Sequence, residues 1–131
     1  MVHVPYIAII AAFALIYLPR QIVTLEMKKQ EGGYNNNDPR GQQVRLEGLG
    51  RRALAAHHNG FEAFAPFAAA VLAAMQRSSK VDAIAWLCIA FVAVRTLYVV
   101  FYLADKATLR SGMWTLGMGA IGALMVIAAI G

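Results

Sequence analysis

The sequence is poor in charge and almost without cysteine. Only 15% of its 131 residues are charged, against about 25% in an ordinary soluble domain. Its one cysteine, Cys88, excludes an internal disulfide framework. No stretch shows the polar–apolar alternation of a membrane-barrel strand. No useful internal repeat, phosphate loop, nucleophile elbow or dinucleotide fingerprint is present. His57 and His58 are adjacent, so on a helix they diverge by about 100° and cannot form an i, i+4 metal pair. No further His or Cys stands at ligand spacing, and no metal site is expected.

What the chain has in excess is apolar surface. Hydrophobic residues make up 60% of it, against about 45–50% in soluble domains. A soluble protein of this length has too little interior to hide that much, so composition predicts an integral membrane protein. The net charge of +5 would suggest nucleic acid in a soluble protein. Here the basic residues flank apolar runs, where anionic headgroups account for them. Membrane lipids are expected partners and nucleic acid is not.

Four apolar stretches are long enough to span a hydrocarbon core, which requires about 20 helical residues. They cover about residues 4–28, 46–75, 81–104 and 112–130, and predict an all-α four-helix bundle forming a single domain over 1–131. The first has no Lys or Arg ahead of its apolar run and no small-x-small cleavage site, so it reads as a retained helix rather than a signal peptide. Pro19 should bend it. The connection from Lys29 to about Arg45 carries Gly32, Gly33, Asn35, Asn36, Asn37 and Pro39 and reads as the one long loop. The other connections are short, which makes successive helices antiparallel neighbours.

Eight basic residues gather on one side of the apolar runs: Lys28, Lys29, Arg40, Arg45, Arg51 and Arg52 between the first and second, and Lys106 and Arg110 between the third and fourth. The opposite end has Arg77 and Lys80. The positive-inside rule then predicts a cytoplasmic basic end, with both termini outside. Arg110 is placed at the end of the last loop, where composition alone reads it as an anchor. Arg20 should snorkel or face the bundle, Cys88 should pack as a small apolar residue, and Gly112, Gly117, Gly119 and Gly122 suggest close helix contact.

Two helix faces concentrate polar groups. Arg52, Asn59, Glu62 and Pro66 follow at spacings of seven, three and four. Arg95, Tyr98, Tyr102 and Asp105 follow at three, four and three. Lipid satisfies neither an amide nor a carboxylate, so these faces must look into protein or a wet cavity. Glu62 lies 13 residues from Met75 and Arg95 lies 13 residues from Asp82, both on the opposite side, or roughly 20 Å deep. In an antiparallel hairpin they share one level, and a Glu62–Arg95 ion pair is predicted. That pair reads equally as a lock between helices or as part of a ligand site. Tyr98 and Tyr102 read either as ligand contacts or as interfacial anchors.

The sequence resembles the membrane-associated proteins in eicosanoid and glutathione metabolism, the MAPEG family. The run Arg52…His58-Asn59-x-x-Glu62-x-x-x-Pro66-Phe67 carries the resemblance. So does Arg95-x-x-Tyr98-x-x-x-Tyr102 followed by Leu109-Arg110-Ser111. The stretches Asn37-Asp38-Pro39-Arg40 and Tyr102-Leu103-Ala104-Asp105 look like the small bacterial members. The resemblance implies a homotrimer in a bacterial inner membrane, with glutathione between subunits. Asn59 and Glu62 would bind its polar groups, Arg52 would attract a carboxylate, and Tyr98 and Tyr102 would add hydroxyl contacts beside Arg95. Arg110 would stabilise the thiolate, the nucleophilic form of the thiol. Many members carry an arginine where this chain has Ala55, and His58 stands where some carry another; it is a partial substitute, mostly neutral at pH 7. The Tyr102–Arg110 spacing is one residue longer than in the leukotriene-forming members.

The expected activity is that of a glutathione-dependent membrane transferase or peroxidase acting on a lipophilic electrophile. One alternative is a non-catalytic lipid-binding or accessory membrane protein that keeps the polar seam for assembly. Another is a small four-helix exporter, disfavoured because the first helix has no carboxylate before Glu26 and Glu62 is matched by Arg95.

Overall fold

The computed structural model describes all 131 residues, arranged as α1 (Val4–Lys28), α2 (Pro39–Val44), α3 (Gly48–Arg77), α4 (Val81–Leu103) and α5 (Ala107–Ile130). The four long helices form an antiparallel bundle in which α1 packs on α3 and α4, and α5 packs on α3 and α4. α1, α4 and α5 are long and apolar enough to cross a membrane. α3 matches them in length but not in apolarity, because its first half carries Arg51, Arg52, His57, His58, Asn59 and Glu62.

Three boundaries differ from the sequence expectation. The connection after α1 is not a plain loop but contains a fifth helix, α2. Asp38 caps it by accepting the Gly41 N–H at 2.9 Å, and Pro39 occupies its first turn, where no N–H is needed. The second long helix spans Gly48–Arg77 rather than 46–75. The last helix begins at Ala107 rather than 112, because the turn before it is tighter than its polar residues suggest. Asp105 takes a left-handed conformation at φ 59°. The Lys106 N–H then reaches the Phe101 carbonyl at 2.8 Å, and the Asp105 N–H reaches that of Tyr102 at 3.2 Å. This double closure caps α4 and restarts the helix within three residues. Arg110 therefore lies inside α5, not at the end of a loop.

The main core joins Ala8 and Ala12 of α1, Phe67, Ala70, Val71 and Ala74 of α3, Ile84, Cys88 and Phe91 of α4, and Ile121 and Leu124 of α5. Phe67 and Phe91 stack at 3.8 Å, and Cys88 is a packing residue as expected. Gly60 lets α1 and α3 approach: a Cβ there would stand 3.2 Å from the Ile16 Cα. Of the four glycines on α5, only Gly117 meets neighbours, the Arg95, Phe91 and Val94 side chains of α4 at ordinary contact distance; Gly112, Gly119 and Gly122 face open space. Ile10, Leu18, Leu72, Trp86, Leu116 and Val126 stand more than half exposed around the outside. That apolar surface is what a lipid-facing wall requires.

A second, smaller cluster of Val23, Met27, Leu46 and Ala53 seals the polar end. Above it, Gln42 is fully buried and holds the α1–α3 connection together. Its Nε2 donates to the Met27 and Gly33 carbonyls at 3.0 and 2.7 Å, and its Oε1 accepts the Asn35 N–H at 2.9 Å.

Candidate functional site

The polar half of α3 points its residues in different directions, and each finds a different partner. The Arg52 Nε donates to the Leu103 carbonyl at 3.2 Å, one of the acceptors that the end of α4 leaves open. Its Nη1 lies 4.0 Å from Asp105. His57 is buried, and its Nδ1 donates to the Ile16 carbonyl at 2.7 Å, tying α3 to α1. His58 is exposed, with its ring 5.9 Å from that of His57.

The predicted Glu62–Arg95 ion pair is not formed within the chain. The two residues reach the same level, but Asn59 stands between them. Its Nδ2 donates to Glu62 Oε2 at 2.8 Å, and its backbone carbonyl accepts from Arg95 Nη2 at 3.5 Å. Glu62 remains on the outer edge of α3. Arg95 sinks into the bundle, 5% exposed, with its guanidinium 4.1 Å over the Tyr98 ring. The aromatic face gives that cation an electrostatic partner in place of a carboxylate. Two polar atoms are left buried and unpartnered at this junction: Arg95 Nη1 and Asn59 Oδ1.

From Arg95 a ladder of cations and rings climbs toward the polar end. Tyr98 meets Tyr102 edge to face at 5.6 Å, and the Arg110 guanidinium lies 4.5 Å over the Tyr102 ring. This ladder borders an open cleft of about 300 Å³ between α3, α4 and α5, the lower end of the range for small-molecule sites. Asn59, Tyr98, Tyr102 and Arg110 line it, joined by Ser111, Trp114 and Thr115 of α5. Arg52, His58, Glu62 and Arg95 do not line it; Glu62 and Arg95 adjoin it through Asn59, Arg52 is bonded at the end of α4, and His58 stands exposed on α3.

Trp114 and Thr115 went unassigned in the sequence. Their signal was legible: Arg110–Trp114 and Ser111–Thr115 are both i, i+4 pairs on one helix face. It was hidden by starting the helix at 112, which put Arg110 and Ser111 in a loop. The cleft contains one guanidinium, four hydroxyl groups, an amide, an indole and no carboxylate. Its one formal charge is positive, which suits an anion, and half-exposed Trp114 gives it an apolar wall.

Long apolar helices, an apolar exterior and a cationic cleft set between helices define an integral membrane protein with an internal polar site. The sequence model of the MAPEG family matches residues 4–130, and the chain belongs to that family, which includes glutathione-dependent transferases and related membrane proteins. No curated protein and no solved structure matches it.

Proposed function

We propose that the protein is a glutathione-dependent transferase or peroxidase acting on a lipophilic electrophile. One observation carries this reading: Asn59, Tyr98, Tyr102 and Arg110, drawn from three helices, line a single cleft. Glutathione carries two carboxylates and an ammonium, and needs both arginine and a carboxylate to hold it. Asn59 Oδ1, a buried acceptor without a partner, is free for a donor of the peptide. Glu62 beside it accepts from Asn59 through Oε2 and keeps its other oxygen for the ammonium. Arg110, parked on the Tyr102 ring, is the group that favours thiolate over thiol. The thiolate then attacks the electrophilic atom, forming a bond to sulfur while the leaving group departs with its electron pair. The electrophile enters sideways from lipid along the exposed faces of Trp114 and Leu116.

The assembly we propose is a homotrimer. His58 and Glu62 stand exposed on the protomer at a depth where lipid satisfies neither, and a second copy against α3 would cover them. Arg52 and His58 would then serve the site of a neighbouring subunit rather than their own. The membrane we propose is a bacterial inner membrane, with the basic end cytoplasmic.

The test is purified protein in detergent, given glutathione and then a generic aryl halide or a lipid hydroperoxide. Calorimetric binding of glutathione, a thiolate absorbance and product formation are expected. Absence of both binding and thiolate absorbance removes the enzyme reading. Arg52 and Arg95 already have partners inside the protomer, which favours a second reading as a non-catalytic lipid-binding or accessory protein. On that reading Arg110→Ala leaves function intact while Glu62→Ala disrupts the oligomer.

A further inference from the structure

Outside the cleft, a groove of about 400 Å³ lies between the end of α2 and the first turns of α3. Arg45 and Arg51 flank it, and Val44, Leu46 and Leu54 give it an apolar floor. Both guanidinium groups are exposed and neither takes part in the two ion pairs the protein forms. Val44 is 85% exposed, more than any other large apolar residue of the chain. On a soluble surface such a residue would have nothing to gain there.

The height of the groove in the membrane can be read from the bundle. Arg52 donates to the carbonyl of Leu103, the last residue of α4. Arg51 and Arg45 therefore stand level with, or just beyond, the end of an apolar spanning helix, where headgroups begin. The groove is also held in shape. Buried Gln42 fastens α2 to the end of α1 and to the following turn, so the residues after it have a fixed position. Two arginines against the single carboxylate of Glu47 leave the groove with a net positive charge, the complement of one phosphodiester.

We propose that this groove binds the headgroup of an anionic phospholipid, with the phosphodiester between Arg45 and Arg51 and the first acyl carbons on Val44 and Leu54. The paired arginines supply the charge-assisted hydrogen bonds. The apolar floor selects a lipid over free phosphate. The site is separate from the cleft, and its test needs no glutathione, so it stands or falls independently of the proposed activity.

The experiment measures thermal unfolding of the full-length protein in neutral detergent, titrated with phosphatidylglycerol, phosphatidylcholine or inorganic phosphate. Phosphatidylglycerol should raise the Tm in a saturable way; the other two should not. In Arg45→Ala/Arg51→Ala the apparent affinity should fall about thirtyfold, the equivalent of about 1 kcal/mol per basic residue near an anionic surface. Arg45→Lys/Arg51→Lys should recover most of it, which separates lost charge from lost folding. Val44→Ser should weaken phosphatidylglycerol binding and create no response to phosphate. Equal stabilisation by phosphatidylcholine, an equal response to inorganic phosphate, or unchanged affinity in a folded double-alanine variant each overturns the proposal.

Discussion

In the half of the bundle nearer the chain termini, Phe67 and Phe91 stack face to face, and Val71, Ile84 and Leu124 close around them with nothing polar between. In the other half α1, α3 and α4 are joined through Arg52, His57 and Arg95, each bonded to a carbonyl of a neighbouring helix, and α5 is joined to α4 through Arg110 on the Tyr102 ring. The apolar half needs only matching volumes, which many combinations of residues supply. The polar half needs each donor to find its acceptor in a medium without water, so its geometry is narrow. The difference teaches where function can be placed. The apolar half is filled, while the polar half leaves a cleft and two unpartnered atoms.

This contrast can be broken or sharpened by substitution. Phe67→Ala empties the best-packed part of the apolar half and should cost about 3–5 kcal/mol of stability, read as a lowered Tm in detergent with unchanged turnover in the protein that remains folded. Arg110→Ala should do the reverse. On the proposed activity it lowers glutathione turnover about a hundredfold or more, as loss of a group stabilising developing charge does, while the Tm stays within the range of an ordinary surface change. If Arg110→Ala unfolds the protein instead, the two halves are not as distinct as the contacts imply.

Gln42→Ala removes three hydrogen bonds from the buried hub of the α1–α3 connection. It should cost about 1–3 kcal/mol, with limited proteolysis appearing first between residues 29 and 45. The smallest effect is expected from Tyr102→Phe. The ring that carries Arg110 remains and only the hydroxyl is lost, so kcat/KM should fall about tenfold or less, with no change in Tm. Tyr102→Ala, which removes the platform, should approach Arg110→Ala. Equal effects of Phe and Ala at this position would place the role in the hydroxyl rather than in the ring.

The spans of α1 and α4 were legible because an apolar run of that length has few other solutions. Their ends needed only Lys28 and the polar turn after Leu103. The start of α5 was not legible, because Asp105, Lys106, Thr108 and Arg110 look like a loop by composition. The left-handed turn at Asp105 ends α4 abruptly and leaves Thr108 and Arg110 inside the next helix. Similarly, Gly32, Gly33 and three asparagines disguised α2, although Asp38-Pro39 is a helix-start signal in its own right. The shared depth of Glu62 and Arg95 came out of counting residues along two antiparallel helices. Their partners did not, because an arginine has several ways to be satisfied at one level, and a tyrosine ring one turn away on its own helix was nearer than a carboxylate across the bundle.

What the linear order of residues determined was the membrane, the antiparallel succession of long helices, and the two faces on which polar groups recur. These follow from hydropathy and helical periodicity, which are properties of a segment taken by itself. Which polar groups meet was decided only in the folded bundle. A side chain's partner depends on the rotation of each helix about its axis and on how closely Gly60 lets α1 approach α3, and those are set by packing against residues distant in the chain.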